Sequence, residues 1–307
     1  MDDFLQSFIK IIPSIRASER MVLLSQHIHG ERLEIPCGES HSVEVWLHRA
    51  QRQNSPVLFE LHGGGLVLGD AAKDDNLCEE VRTLIGCHVV GINYRKAPEN
   101  PYPAALDDVC GVMKWFAENA ESFSMDPSRF AVMGFSGGAT LATAASMKAR
   151  EQDRYSICCQ ILHYPYLDAV TDPAAKERCL SDMAPELMKA FTFLYSSEEQ
   201  RKEPYVSPLH APERFITNMP PVIIVLAECD ALCYEGEQYA IRLSRAGVPV
   251  FIRQMQAAHH GYIEDAFNSA CYNELPIDTK ETHAINFREL ANEAVEWSAQ
   301  WLRMYLN

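Results

Sequence analysis

The run Phe130-Ala131-Val132-Met133-Gly134-Phe135-Ser136-Gly137-Gly138-Ala139-Thr140 reads as strand, sharp turn and helix. An apolar segment ends at Gly134, a serine stands among glycines, and small residues continue through Leu141-Ala142-Thr143-Ala144-Ala145. A serine at such a turn is held in a backbone conformation that non-glycine residues adopt reluctantly, so its close neighbours must be small. The turn projects the hydroxyl from the sheet edge with a helix N-terminus behind it. Serine among glycines is otherwise a common loop composition; the apolar strand before it and the helix after it give the functional reading its weight.

Working outward, short apolar runs recur at Val57 to Leu61, Val89 to Ile92, Phe130 to Met133, Ile157 to Leu162, Val222 to Leu226 and Val250 to Ile252. Helix-like segments such as Ala104 to Asn119 and Glu235 to Ala246 lie between most of them. That alternation predicts an α/β fold with a mostly parallel central sheet flanked by helices. Upstream, Leu33 to Ile35 and Val43 to Leu47 alternate as strands exposed on one face. Gln51 to Ser55 reads as a polar turn. Residues 1 to about 30 read as helix packed on the protein's own body, with Pro13 marking a break or kink. Asp168 to about Pro220, which carries Pro173, Pro185, Pro204 and Pro208, no strong strand and a helical stretch near Pro185 to Leu194, reads as an insertion over the sheet's carboxyl edge, where α/β folds bind ligands. Ser269 to Thr282 is a second irregular stretch before a closing helix from about Asn286 to Leu306.

The 307 residues fit one large α/β domain, 47% hydrophobic and 22% charged. A formal net charge of -15 argues against nucleic acid or an anionic membrane as partner. The acidic start Met1-Asp2-Asp3 is no secretory signal, and no apolar span reaches membrane length. Ten cysteines without a C-x-x-C pair read as thiols of a reducing compartment, so a cytoplasmic protein is expected.

A serine hydroxyl needs a base to act as a nucleophile at neutral pH. Of eleven histidines, His163 lies within a strand and reads as a satisfied core residue, and His27, His29, His41, His48, His88, His210 and His283 read as surface residues. His260, in His259-His260-Gly261-Tyr262, follows the last strand at the sheet end that presents Ser136. Asp230, just past the strand Ile223 to Ala227, supplies a carboxylate to fix the imidazole tautomer. Glu228 and Asp265 are the rival carboxylates, for which solvated surface roles are expected. Ser136, Asp230 and His260 stand in the α/β-hydrolase chain order. His62-Gly63-Gly64-Gly65 directly follows a strand, and glycines there leave backbone N–H groups unobstructed to bind an oxyanion together with the N–H of Gly137.

These features together resemble the hormone-sensitive-lipase-like esterases, the α/β-hydrolase group marked by H-G-G-G ahead of the nucleophile. Tyr94-Arg95-Lys96-Ala97-Pro98-Glu99 with Pro101 to Ala105, Tyr164-Pro165-Tyr166-Leu167-Asp168, Ser207-Pro208-Leu209, Asp230 to Gly236 and His260-Gly261-Tyr262 are similar to further motifs of that family, in register from about residue 45 to 265. The resemblance implies Ser136 as nucleophile, His260 as general base and acid, and Asp230 as orienting carboxylate. It also implies Gly64, Gly65 and Gly137 as oxyanion donors, with Gly63 and His62 shaping the loop and Tyr94 to Glu99 as a structural brace. Residues 1–30 and 168–220 would form a cap over the acyl and alcohol pockets. The elbow departs from the family's G-D-S-A-G-G: Phe135 removes a polar tether and Gly137 adds freedom beside the oxyanion loop. The expected activity is hydrolysis of small, short-acyl esters without metal or organic cofactor, and family members are often homodimers. A peptidase or amidase using the same residues is the competing enzyme reading; a non-catalytic ligand receptor on this fold is the competing reading of another class.

Overall fold

Among the described residues, eight strands form one sheet in the order β1-β2-β4-β3-β5-β6-β7-β8. They are β1 (Glu31–Pro36), β2 (Ser42–His48), β3 (Ser55–Leu61), β4 (His88–Asn93), β5 (Met125–Phe135), β6 (Ile157–His163), β7 (Val222–Cys229) and β8 (Val250–His259). The pairs β1/β2 and β2/β4 are antiparallel and all others parallel. The helices are α1 (Asp2–Leu24), α2 (Asp75–Ile85), α3 (Ala104–Glu118), α4 (Ala120–Phe123), α5 (Gly137–Ala149), α6 (Pro185–Tyr195), α7 (Glu213–Ile216), α8 (Cys233–Arg245), α9 (Tyr262–Phe267) and α10 (Phe287–Leu306). This computed structural model describes residues 2–38, 41–150, 155–176, 183–268 and 286–306. The 269–282 stretch and His283 lie outside them.

The expected α/β fold follows from side-chain alternation in the central strands. Val57, Phe59 and Leu61 of β3 join one apolar core with residues of α3, α5 and α8, while Leu58 joins the other with α2, α9 and α10. Both faces are therefore covered, which is why these strands read as continuous apolar runs. Register sets the site: Gly134 pairs with Leu162 and Phe135 with His163, so the elbow emerges level with the carboxyl end of β6.

Four expectations need correction. The first helix runs through Pro13 without a break and ends at Leu24, several residues before 30. Strand β2 is buried from Val43 to His48, on both faces, because β1 and β4 flank it and helices cover it. His48 and His88 are buried, not surface residues. His48 lies between Asp75 and Glu79, and His88 accepts from the Ala50 N–H. His163 is a core residue, yet neither ring nitrogen has a hydrogen-bond partner among the described residues. Burial pushes its imidazole down to about 3, so it stays neutral, stacked on Phe135 at 4.7 Å.

The 168–220 region holds α6 and α7 and no strand among its described residues. Helix α1 meets α6 through the ring pair Phe8–Phe191 at 5.8 Å. No helix among the described residues is long and apolar enough to cross a membrane.

Candidate active site

Ser136 occupies φ 52°, ψ -117°, in a region that costs a non-glycine residue free energy and persists only where the surroundings impose it. Here they do. The Ser136 N–H donates to His163 O, and Ser136 O accepts from the N–H groups of Tyr166 and Ala139. Gly138 has no room for a side chain, since a Cβ would collide with the carbonyls of Leu61 and His62. The elbow is thus wedged against the end of β3, where the glycine loop begins.

The structure brings Ser136, His260 and Asp230 into one hydrogen-bonded row, with Ser136 Oγ 2.9 Å from His260 Nε2 and His260 Nδ1 2.8 Å from Asp230 Oδ2. An ionised carboxylate can only accept, so Nδ1 carries the hydrogen and Nε2 is left to accept from the serine hydroxyl. The other carboxylate oxygen of Asp230 accepts from the Leu232 N–H at 3.0 Å. Asp230 is buried and His260 partly accessible, which suits an orienting acid and a base that meets substrate. Asp230 sits one residue past β7, and His260 one residue past β8. Neither rival carboxylate joins the row: Glu228 is exposed and accepts from the Ala257 N–H, and Asp265, on α9, faces Lys73 at 3.6 Å.

The glycine loop lies directly against the elbow. A Cβ on Gly137 would meet Gly65 Cα at 3.2 Å and Leu66 Cγ at 3.1 Å. Gly64, Gly65 and Leu66 all have positive φ, 110°, 62° and 65°, which turns the loop back on itself so that Leu68 N–H reaches Gly64 O at 2.8 Å. The N–H groups of Gly64 and Gly65 have no acceptor among the described residues. His62 is buried beneath, stacked on Tyr94 at 4.3 Å, with its Nδ1 2.7 Å from Gly63 O; burial and nearby Lys96 hold it well below the usual histidine range. The Tyr94 hydroxyl donates to His62 O at 2.8 Å and the Ala97 N–H to Leu66 O at 3.0 Å, so the 94–99 segment braces this loop.

Several residues near the site were given no role from the sequence. A Cβ on Gly65 would run into the ring of Phe191, which places α6 over the glycine loop. Arg16 of α1 donates to Val67 O at 2.8 Å and to Ala97 O. Tyr164 packs edge-on to His260 at 5.1 Å, and its hydroxyl donates to the buried Glu264. Each sits on an element whose spacing reads as ordinary core or surface, and Glu264 stands next to a second acid, Asp265, so the sequence Tyr262–Phe267 does not single it out.

Comparison with known proteins agrees with the fold described above. The family described as alpha/beta hydrolase fold matches residues 58–264. Esterase LipI of Mycobacterium tuberculosis is 33% identical over 213 residues, 68% of this chain and 66% of LipI, so the chain spans about two thirds of that relative. Ethyl acetate hydrolase of Pseudomonas putida is 30% identical over 239 residues, 75% of this chain and 74% of the hydrolase. The crystal structure of a thermostable esterase from Pseudomonas putida ECU1011 has a TM-score of 0.80 at 25% identity, covering 96% of this chain and 90% of that one. With the family match covering more than half its length, the chain belongs to the alpha/beta-hydrolase fold family, on the hormone-sensitive-lipase-like esterase branch that its motifs resemble.

Proposed function

We propose that this carboxylic ester hydrolase works as a serine esterase on small, short-acyl esters, with Ser136 as nucleophile, His260 as general base and acid, and Asp230 as orienting carboxylate. The observation that carries the reading is the hydrogen-bonded row from Ser136 Oγ through His260 to Asp230, set against the glycine loop. His260 Nε2 takes the hydroxyl proton as Ser136 Oγ attacks the ester carbonyl. The resulting oxyanion is bound by the N–H groups of Gly64, Gly65 and Gly137, each such donor being worth on the order of 10² to 10³ in rate. Asp230 stabilises the imidazolium without taking its proton. The imidazolium then protonates the departing alkoxide, the acyl group remains on Ser136, and water repeats the sequence to release the acid and restore the serine.

Short acyl chains are favoured by the ring of Phe191 over Gly65, backed by Phe8. A relative named ethyl acetate hydrolase is consistent with that preference. In this reading α1 and the 168–220 region form a cap on a single hydrolase domain. None of the eight described cysteines is in a disulfide with another described residue, which supports a reducing, cytoplasmic setting.

The test is hydrolysis of p-nitrophenyl esters from acetate to palmitate by the wild type and Ser136→Ala. Turnover is expected to be greatest with the shortest acyl groups, and kcat of the variant to fall by about 10⁶. Full activity in Ser136→Ala would remove Ser136 as nucleophile. A maximum at palmitate would sink the short-acyl preference.

A further inference from the structure

Phe135, beside the proposed nucleophile, offers no polar side chain to the back of the site, and a carboxyl reaches it from a different part of the chain. Glu264 lies on α9, four residues beyond His260, and is buried. Its Oε2 accepts from the Tyr164 hydroxyl. Its Oε1 faces the start of the glycine loop so closely that a Cβ on Gly63 would meet it at 2.7 Å; the Phe135 carbonyl oxygen and Cβ would lie 3.6 and 3.8 Å from that same Cβ. Tyr164 is itself held in an uncommon conformation, φ 34°, with its N–H on Val225 O at 2.7 Å and its ring edge-on to His260 at 5.1 Å. One carboxyl therefore touches the turn into the oxyanion loop, the residue packed behind the base, and the helix that continues from the base.

Keeping an acid there is costly. Burial raises the carboxyl of Glu264 above its ordinary value, opposed by Lys73, by the Tyr164 hydrogen bond and by His260. Two more buried carboxyls, Glu60 of β3 and Asp74, are driven up beside it by burial and mutual repulsion. An apolar side chain would fill the volume without that cost, so the acid must be read through what it contacts.

We propose, resting on the serine-esterase reading above, that Glu264 is a positioning residue that ties the His260-bearing segment to Gly63 and Tyr164 and so fixes the distance between the base and the oxyanion donors. A displacement on the order of 1 Å at such a site can cost about 10² in rate. Substrate binding is not what it serves, so the loss falls on kcat.

The experiment measures kcat and KM for p-nitrophenyl acetate in the wild type, Glu264→Ala and Glu264→Gln, each normalised to the sites labelled by an organophosphate. Glu264→Ala is expected to lower kcat by about 10- to 100-fold with KM within about twofold. Glu264→Gln keeps an oxygen to accept from Tyr164 and is expected to recover kcat to within about threefold of the wild type. Unchanged kcat in a folded Glu264→Ala, or a loss confined to KM, overturns the proposal. If Glu264→Ala does not fold, Glu264→Gln and Tyr164→Phe decide it. Tyr164→Phe is then expected to lower kcat at least tenfold, and the double variant to be no worse than Tyr164→Phe alone; fully additive losses overturn the shared role. A wild type that neither hydrolyses esters nor takes the label fails the esterase reading and the proposal with it. An active wild type with an indifferent Glu264 fails the proposal alone.

Discussion

Asp230 and His260 are thirty residues apart, and their contact depends on two adjacent parallel strands ending at nearly the same level. The role proposed for Asp230 is the tautomer it imposes, so Asp230→Asn should leave the geometry and Tm nearly unchanged while kcat for p-nitrophenyl acetate falls by about 10⁴. A loss of tenfold or less would mean that another group orients the imidazole. Gly137 shows a departure from the family motif acquiring a physical reason: Leu66, at φ 65°, folds over the elbow into space that an alanine Cβ would share at 3.1 Å. Ser136, Asp230, His260 and the His62–Gly65 run were all legible from the sequence, because each is a residue type that few environments require, placed at a strand end. The contacts of Glu264 and Tyr164 were not. A buried acid looks in sequence like a surface acid until the partner that faces it is known.

Helix α6 and the 94–99 segment each bring one side chain whose effect can be measured. Phe191 closes the space above Gly65, so Phe191→Ala should shift the acyl optimum of the p-nitrophenyl series by several carbons toward longer chains, at a stability cost of about 3 kcal/mol. An unchanged acyl profile would remove α6 from the acyl pocket. Lys96 donates to Asn93 Oδ1 at 2.7 Å and to Tyr94 O at 3.2 Å behind the His62 stack. Burial lowers its ammonium from 10.5 to about 8. Between those values the unfolded chain binds a proton that the folded chain does not, so this group makes stability rise with pH across that window and leaves its full penalty in place below about 8. The Tm of the wild type minus that of Lys96→Met should therefore increase from pH 8 to pH 10, and a flat or falling difference would contradict the burial account. The element pattern itself was readable in the central strands, where period and composition agree. It misled at β2 and at the end of the first helix. Both faces of β2 are covered by distant segments, and the first helix continues through Pro13 because a helix packed along one side can tolerate the loss of the backbone hydrogen bond that a proline removes.

At the scale of the whole molecule, α1 and α6 meet beside the glycine loop. Leu5, Phe8, Ile12 and Leu23 of α1 are buried, and Arg16 holds the carbonyls of Val67 and Ala97 beside the glycine loop. Removing residues 1–24 should lower Tm by at least about 5 °C, given about 1.5–3 kcal/mol for each apolar side chain uncovered, and should cut kcat/KM more than any single change in α1. Full activity in the truncated chain would show that α1 does not complete the site. The sequence by itself determined the α/β alternation, the elbow, the glycine loop and the identity of the three residues proposed for catalysis, because strand burial and strained turns restrict composition locally. Only the tertiary structure decided that Phe191 lies over Gly65, that Arg16 reaches Val67, and that Glu264 joins Gly63 to Tyr164. Those contacts are made by residues scores of positions apart, and their types are set by partners whose position depends on how the whole sheet twists and stacks its helices.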